Sequence, residues 1–366
     1  MRDQSAKASA LFSPAQLTLA RKTCGFTKVQ LAKLAGLTPT SIAFFESGES
    51  KPSPETISRL AEALLFPVAF FSHEAEIFDD TADTIRPFFR SLRKTSQLER
   101  DRATGRARLI YRLSQSLDEY VDFPKPAIPR FHLDGDPTRI EVERVAEKVR
   151  AKWGLGGEPI PHMVRLLESK GVLVVRQHLD NPEMSAFSYR FGKRSLVLLG
   201  DDIDDAARSR FNAAHELGHL VMHADDCIGT STVERQANWF ASAFLMPRVS
   251  FLETFPAKLN WSNLGEMKRF WKVSMAAILY RGHTLGRLSD TAYQRFVMRM
   301  SSLGWRTVEP MRLQTTETPV MLTKAVEALQ DEPELLEKAI GRVCLPAELL
   351  DSVLSPKKQK RRLNLE

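Results

Sequence analysis

Cysteine is scarce in this chain: three in 366 residues, Cys24, Cys227 and Cys344, far apart and without a CxxC spacing. That excludes a disulfide framework and a thiolate zinc site. Long apolar runs are missing too. None approaches the roughly 18 to 20 residues that a membrane span needs, so no membrane partner is expected. The opening stretch MRDQSAKASALFSPAQ carries a basic residue but no sustained apolar core or cleavage site, and it does not read as a secretion signal. A cytoplasmic location is the expectation. Repeats of solenoid period are absent, and the only biased segment is the basic KKQKRR near the end.

What is present suits a modular globular protein. Hydrophobic residues make up 43% and charged residues 27% of the chain, and its length calls for two or three units, each with its own core. The net charge of +7 is localised: Arg86 to Arg112 holds nine Arg or Lys against Glu99 and Asp101. Such a stripe suits a polyanion or solvates a helix face.

Residues 1–12 read as a flexible tail. Ser13-Pro14 opens a helix in the favoured cap-then-proline order, and Leu17, Ala20 and Arg21 carry it to Gly25. A second helix follows Thr27, with Leu31, Ala32 and Leu34 as its apolar positions and Gly36 as its stop. Thr38-Pro39 begins a third helix that runs to Ser47-Gly48. Ile57, Leu60, Ala61 and Leu64 mark a fourth, and a short fifth follows Pro67. These five helices define a unit over residues 13–72. Residues 73–130 read as a basic helical linker, with Leu98, Leu109, Leu113 and Leu117 spaced for a seam and FPKPAIPRF stiffening its end. Beyond it, Val142, Val145, Ala146 and Val149 repeat at helical spacing. GVLVVRQ and SAFSYRFGKRSLVLLG read as strands, the latter a pair joined at Gly192-Lys193. Residues 206–223 and 233–246 are helical, GWRTVEP marks a break, and residues 311–366 form a helical C-terminal region with a basic tail. The fold class is mainly α with a small antiparallel or mixed sheet, that is, α+β.

The chemistry concentrates in FNAAHELGHLVMHADD, residues 211–226. On a helix His215 and His219 lie one turn apart on one face, so both imidazoles can address one ion. Glu216 lies beside that face, where it can touch a metal-activated water as general base without being a ligand. A catalytic zinc wants three protein ligands and an open position. Glu234, on a returning helix, supplies the third, and Asn238 stacks beside it to orient its carboxylate. Asp225 and Asp226 are rival ligands in the intervening turn. His223 is displaced by about 12 Å along the axis and reads as a packing or hydrogen-bonding residue rather than a ligand.

RFNAAHELGHLVMH and ERQANWFASAFLMP resemble the two signature helices of the ImmA/IrrE metallopeptidases, and the likeness continues through VSMAAILYRGHTLGRLSD and GWRTVEP, over roughly residues 140–310. The resemblance implies a zincin-like peptidase domain, placed at residues 131–310, with His215, His219 and Glu234 as ligands and Glu216 as base. Members of that family often carry a second acid two residues after the ligand glutamate; here that place is Gln236. Tyr280 and His283 are candidate oxyanion donors by position alone. The strands at 185–190 and 195–199 offer either an edge for an extended substrate or a cover for the active helix.

In the amino-terminal unit, Leu31-Ala32, Gly36-Leu37, Ile42 and Glu46-Ser47-Gly48 fit a helix-turn-helix, with a small residue at the crossing and glycine at the turn. Thr38, Pro39, Thr40 and Ser41 begin its recognition helix, where short polar side chains approach base edges or phosphates. Residues 13–72 resemble the Xre-type, lambda-repressor-like domain. Where that family often has glutamine near the start of the second helix, this chain has Lys28, which favours a phosphate contact.

The expectation is therefore a DNA-binding transcriptional regulator, a homodimer on a double-stranded operator, carrying a zinc-dependent endopeptidase domain; manganese also suits two histidines and one carboxylate. The family resemblance implies a helix-turn-helix repressor as substrate, in this chain or a partner, in stress or mobile-element control. The alternative is a regulator whose metal domain is a proteolytically silent sensor of a ligand or partner.

Overall fold

The computed structural model describes residues 2–72, 88–89, 96–133, 135–179, 185–192, 194–201, 205–223, 230–313 and 316–354. In the amino-terminal unit each expected helix start carries its cap. Ser13 caps α2 (Pro14–Cys24), Thr27 and Gln30 form a reciprocal capping box on α3 (Lys28–Ala35), Thr38 caps α4 (Pro39–Ser47) and Ser53 caps α5 (Pro54–Leu64). A single 3-10 turn, Val68–Phe71, stands where the fifth helix is expected. Leu17, Ala20, Leu31, Ile42, Ile57, Leu60 and Leu64 close the core.

Three expectations for this half need correction. Leu34 is 57% exposed. The buried arc of α3 centres on Leu31, Ala32 and Ala35, and at 3.6 residues per turn Leu34 falls roughly 100° from its middle. Residues 1–12 are not a flexible tail: α1 (Arg2–Ala10) buries Ala8, Phe12 lies edge-on to Phe45, and Ser9 donates to the Pro52 carbonyl at 2.7 Å. Three buried side chains, Ser5, Ala8 and Phe12, suffice to anchor it.

Residues 73–130 are likewise more than a linker. α6 (Gln97–Asp118) buries Ala103, Ala107, Leu109, Ile110, Leu113 and Leu117, although Leu98 of the expected seam is only half-buried. Gly105 lets α6 cross α2 backbone to backbone, since a Cβ there would lie 2.4 Å from Thr23 Oγ1 and 3.0 Å from Thr23 Cα. The basic side chains turn inward as well. Arg112 is buried and donates to Gln16 Oε1 at 2.9 Å, and Arg102 donates to the carbonyl of Cys24, the last residue of α2, at 2.9 Å. Arg86, Arg90, Arg93 and Lys94 lie outside the described residues.

Four strands form one mixed sheet in the order β1–β3–β4–β2: β1 (Phe88–Phe89), β2 (Leu173–Gln177), β3 (Ala186–Phe191) and β4 (Arg194–Gly200). β2 runs parallel to β4, and β3 runs antiparallel to both β4 and β1. Alternation along the strands serves two cores. Leu173, Val175, Phe187, Tyr189, Phe191, Leu196 and Leu198 join the core shared with the amino-terminal unit and α6. Val174, Ala186, Val197 and Leu199 face the other core.

That second core is built by α7 (Arg139–Lys152), α8 (Met163–Ser169), α9 (Ala206–Met222), α10 (Ser231–Leu245), α11 (Arg248–Thr254), α12 (Trp261–Trp271), α13 (Met275–Thr284) and α14 (Asp290–Ser302). The carboxy-terminal helices α15 (Met321–Ala328), α16 (Pro333–Gly341) and α17 (Ala347–Leu354) return to the first. Glu168 fastens them by accepting from the Val320 and Met321 amides at 2.8 and 2.7 Å, and Ser116 of α6 donates to the Ala339 carbonyl at 2.8 Å. No helix among the described residues is long and apolar enough to cross a membrane.

Candidate metal centre

α9 starts at Asp205, whose carboxylate accepts from the Ala207 amide at 2.9 Å, and it is buried along nearly its whole length. Its histidine spacing therefore points inward. Gly218 brings α10 close: a Cβ there would meet the Phe240 ring at 3.1 Å. α10 runs back past α9 and sets Glu234 in its own first turn, where the positive end of the helix dipole favours a carboxylate.

The three expected donors converge. Glu234 Oε2 lies 3.2 Å from His215 Nε2, Glu234 Oε1 lies 3.4 Å from His219 Nε2, and the two Nε2 atoms are 3.0 Å apart. All the donor atoms fall within 4.8 Å of one another. Burial alone would raise the Glu234 carboxyl, but the facing imidazoles of His215 and His219 pull it well below the ordinary carboxylate range. Both Glu234 oxygens are buried without a hydrogen bond of good geometry. An orphaned carboxylate facing two imidazole nitrogens is the donor set that a divalent cation such as zinc or manganese satisfies. Asn238 is placed as expected, but on a different partner: its Oδ1 lies 3.0 Å from His215 Nδ1, so it orients a histidine rather than the Glu234 carboxylate. Asp225 and Asp226 lie outside the described residues.

Glu216 is buried beside this cluster and accepts a 2.7 Å hydrogen bond from Ser188 Oγ on β3. Sequence reading missed Ser188. Its signal was faint: one small polar side chain between the aromatic residues Phe187 and Tyr189. Arg190, two residues on, donates to the carbonyls of Leu220 and His223 and so closes the open end of α9. A cleft of about 630 Å³ opens next to the cluster, lined by Phe211, Glu234, Asn238, Trp239 and Tyr280 among others. Tyr280 accepts from Trp239 Nε1 at 3.3 Å on its wall. His283 does not reach it; it stacks on Tyr293 and pairs with Asp290 at 2.7 Å.

In the amino-terminal unit, Thr38 spends its hydroxyl on the Ser41 amide at 3.1 Å and meets the Ser41 hydroxyl at 2.9 Å. Thr40 is exposed, and so is Phe44 one turn later on α4, a residue the sequence reading did not single out. Lys28 lies at the start of α3 with its Nζ 3.4 Å from Glu46, which Arg21 also holds at 2.6 Å.

Residues 167–283 match the IrrE N-terminal-like domain family, and residues 17–71 match the helix-turn-helix family. No curated protein matches the chain.

Proposed function

Since residues 17–71 form an Xre-type helix-turn-helix fused in one chain to an IrrE/ImmA-like, metallopeptidase-type domain, we propose a DNA-binding transcriptional regulator that hydrolyses a peptide bond in a repressor-type protein, itself or a partner. The reading rests on one observation. His215, His219 and Glu234 bring three metal-binding atoms within 4.8 Å, and the buried carboxylate of Glu216 stands beside them.

His215, His219 and Glu234 would hold the ion, with His215 steadied by Asn238. A zinc or manganese ion there supplies a Lewis acid that polarises the scissile carbonyl and acidifies water. Glu216 takes the proton from the attacking water and returns it to the departing amine. Ser188 holds the Glu216 carboxylate in place through its hydrogen bond. Trp239 and Tyr280 line the cleft beside Glu234 and offer an apolar wall to a substrate side chain. The amino-terminal unit would place this chemistry at an operator as a homodimer, in control of stress or mobile-element genes.

A second reading, a proteolytically silent sensor, draws support from β1. Phe88 and Phe89 pair with Ser188 and Phe187, on the edge where an extended peptide would add as a strand. The two readings part on Glu216→Gln. If the variant keeps its metal and loses hydrolysis of a repressor substrate by a hundredfold to ten-thousandfold, on the order of a lost general base, the peptidase reading stands. If wild type cleaves nothing while operator binding responds to a small molecule, the sensor reading replaces it.

A further inference from the structure

His223, the third histidine of the helix, takes no part in the chemistry described so far. It caps the end of α9 in an extended conformation and is buried. Its Nδ1 lies 2.9 Å from His219 Nδ1, the nitrogen on the far side of that ring from Glu234. Its Nε2 lies 3.0 Å from Gln236 Oε1, and Gln236 Nε2 lies 3.3 Å from Asp136 Oδ1. His219 and Gln236 thus meet the two ring nitrogens, and Arg190 from β3 holds the backbone carbonyl of His223.

Resting on the assignment of His215, His219 and Glu234 as ligands, we propose that His223 is a positioning residue for His219, and that Gln236, anchored by Asp136, sets its tautomer. Proton accounting along the chain admits one direction. A carboxylate only accepts, so the Gln236 amide presents its NH₂ to Asp136 and its oxygen to His223. His223 must then donate from Nε2, which leaves a bare Nδ1 facing His219. Two nitrogens in contact with no cation to share cannot both be bare, so His219 donates from Nδ1 and keeps its Nε2 lone pair, like that of His215 Nε2, for the ion that Glu234 also faces. On the other ligand, Asn238 Oδ1 accepts from His215 Nδ1 and fixes the same orientation. Asp136, Gln236 and His223 thus do for one histidine what Asn238 does for the other. The neutral amide at position 236 is well suited here, because a carboxylate would set a like charge 3.3 Å from Asp136.

The test uses the full-length protein, stripped of metal and titrated with Zn²⁺ against a competing chelator. His223→Leu and Gln236→Leu should each weaken zinc binding by about tenfold to a hundredfold, the usual loss for a group that orients a ligand. His223→Gln, which still accepts at one end and donates at the other, should restore most of it. Thermal melts of the metal-free variants separate this effect from misfolding. Long-range ¹H–¹⁵N spectra of the zinc-loaded protein should show His223 protonated on Nε2 and bare on Nδ1. Wild-type zinc affinity in both leucine variants, or a proton on His223 Nδ1, overturns the proposal. A wild-type protein that binds zinc no better than His215→Ala overturns the ligand assignment itself, and the two failures are told apart by that control.

Discussion

Ser188 Oγ and Glu216 Oε2 stand 2.7 Å apart, and both side chains are buried between the sheet and α9. This contact links β3, the strand between β1 and β4, to the carboxylate assigned as base. The bond fixes the direction of the carboxylate, and losing that orientation should slow the proton transfer by about tenfold, less than losing the base itself. Ser188→Ala is expected to keep the zinc content of wild type and lower kcat for peptide hydrolysis by that factor. Equal kcat in the two proteins would remove Ser188 from the mechanism.

β3 carries Ser188, and its outer edge pairs with Phe88 and Phe89 of the same chain. An added peptide that binds as a strand must displace that pairing. Proline lacks the amide hydrogen a ladder needs, so Phe88→Pro combined with Phe89→Pro should loosen the edge. We expect kcat/KM toward an added peptide to rise by about threefold, a shift of under 1 kcal/mol. An unchanged value would mean that substrate approaches elsewhere.

Legibility followed the range of the interaction. His215 and His219 are four residues apart on one helix, and their shared face follows from helix periodicity alone. The helix starts at Ser13, Thr27 and Thr38 were legible because a cap is encoded by neighbouring residues. Glu234 needed a chain reversal, inferred from two helical patterns with a gap between them. Ser188 with Glu216, and Asp136 with Gln236 and His223, join separate elements, and no spacing encodes them. Charge counts misled at α6, since composition records an arginine without its direction. Arg112 and Arg102 point inward onto α2, so the segment read as a linker is part of the shared core.

Burial pushes the Cys24 thiol up to about 11, with Arg106 and Arg102 pulling only part of the way back. Its sulfur also donates to the Leu64 carbonyl at 3.3 Å. The thiolate is the reactive form, so reactivity rises with pH and stays low until the alkaline range. At pH 8 alkylation of Cys24 in the folded protein should run about a hundredfold slower than that of an unperturbed thiol, from the difference in thiolate fraction. Residue-resolved mass spectrometry after timed iodoacetamide labelling measures this directly, and labelling at the rate of the unfolded chain would contradict it.

The recognition helix divides its residues between two tasks. Thr38 caps the helix through the Ser41 amide, so replacing Thr38 should cost stability more than it changes base preference. Thr40 and Phe44 lie one turn apart and exposed on α4, free to meet a groove. An exposed aromatic on such a face matches the methyl group of thymine, which an apolar side chain reads in the major groove. Selection from random duplex pools should therefore enrich thymine at the positions Phe44 contacts, and a pool made with deoxyuridine should lose that enrichment. Phe44→Ala should erase the difference between the two pools, and Thr40→Ala should alter preference at a neighbouring position. Lys28→Ala should instead weaken binding to all sequences alike and reduce the salt slope by about one. A Phe44→Ala protein that still separates thymine from uracil as wild type does would show that Phe44 faces something other than DNA.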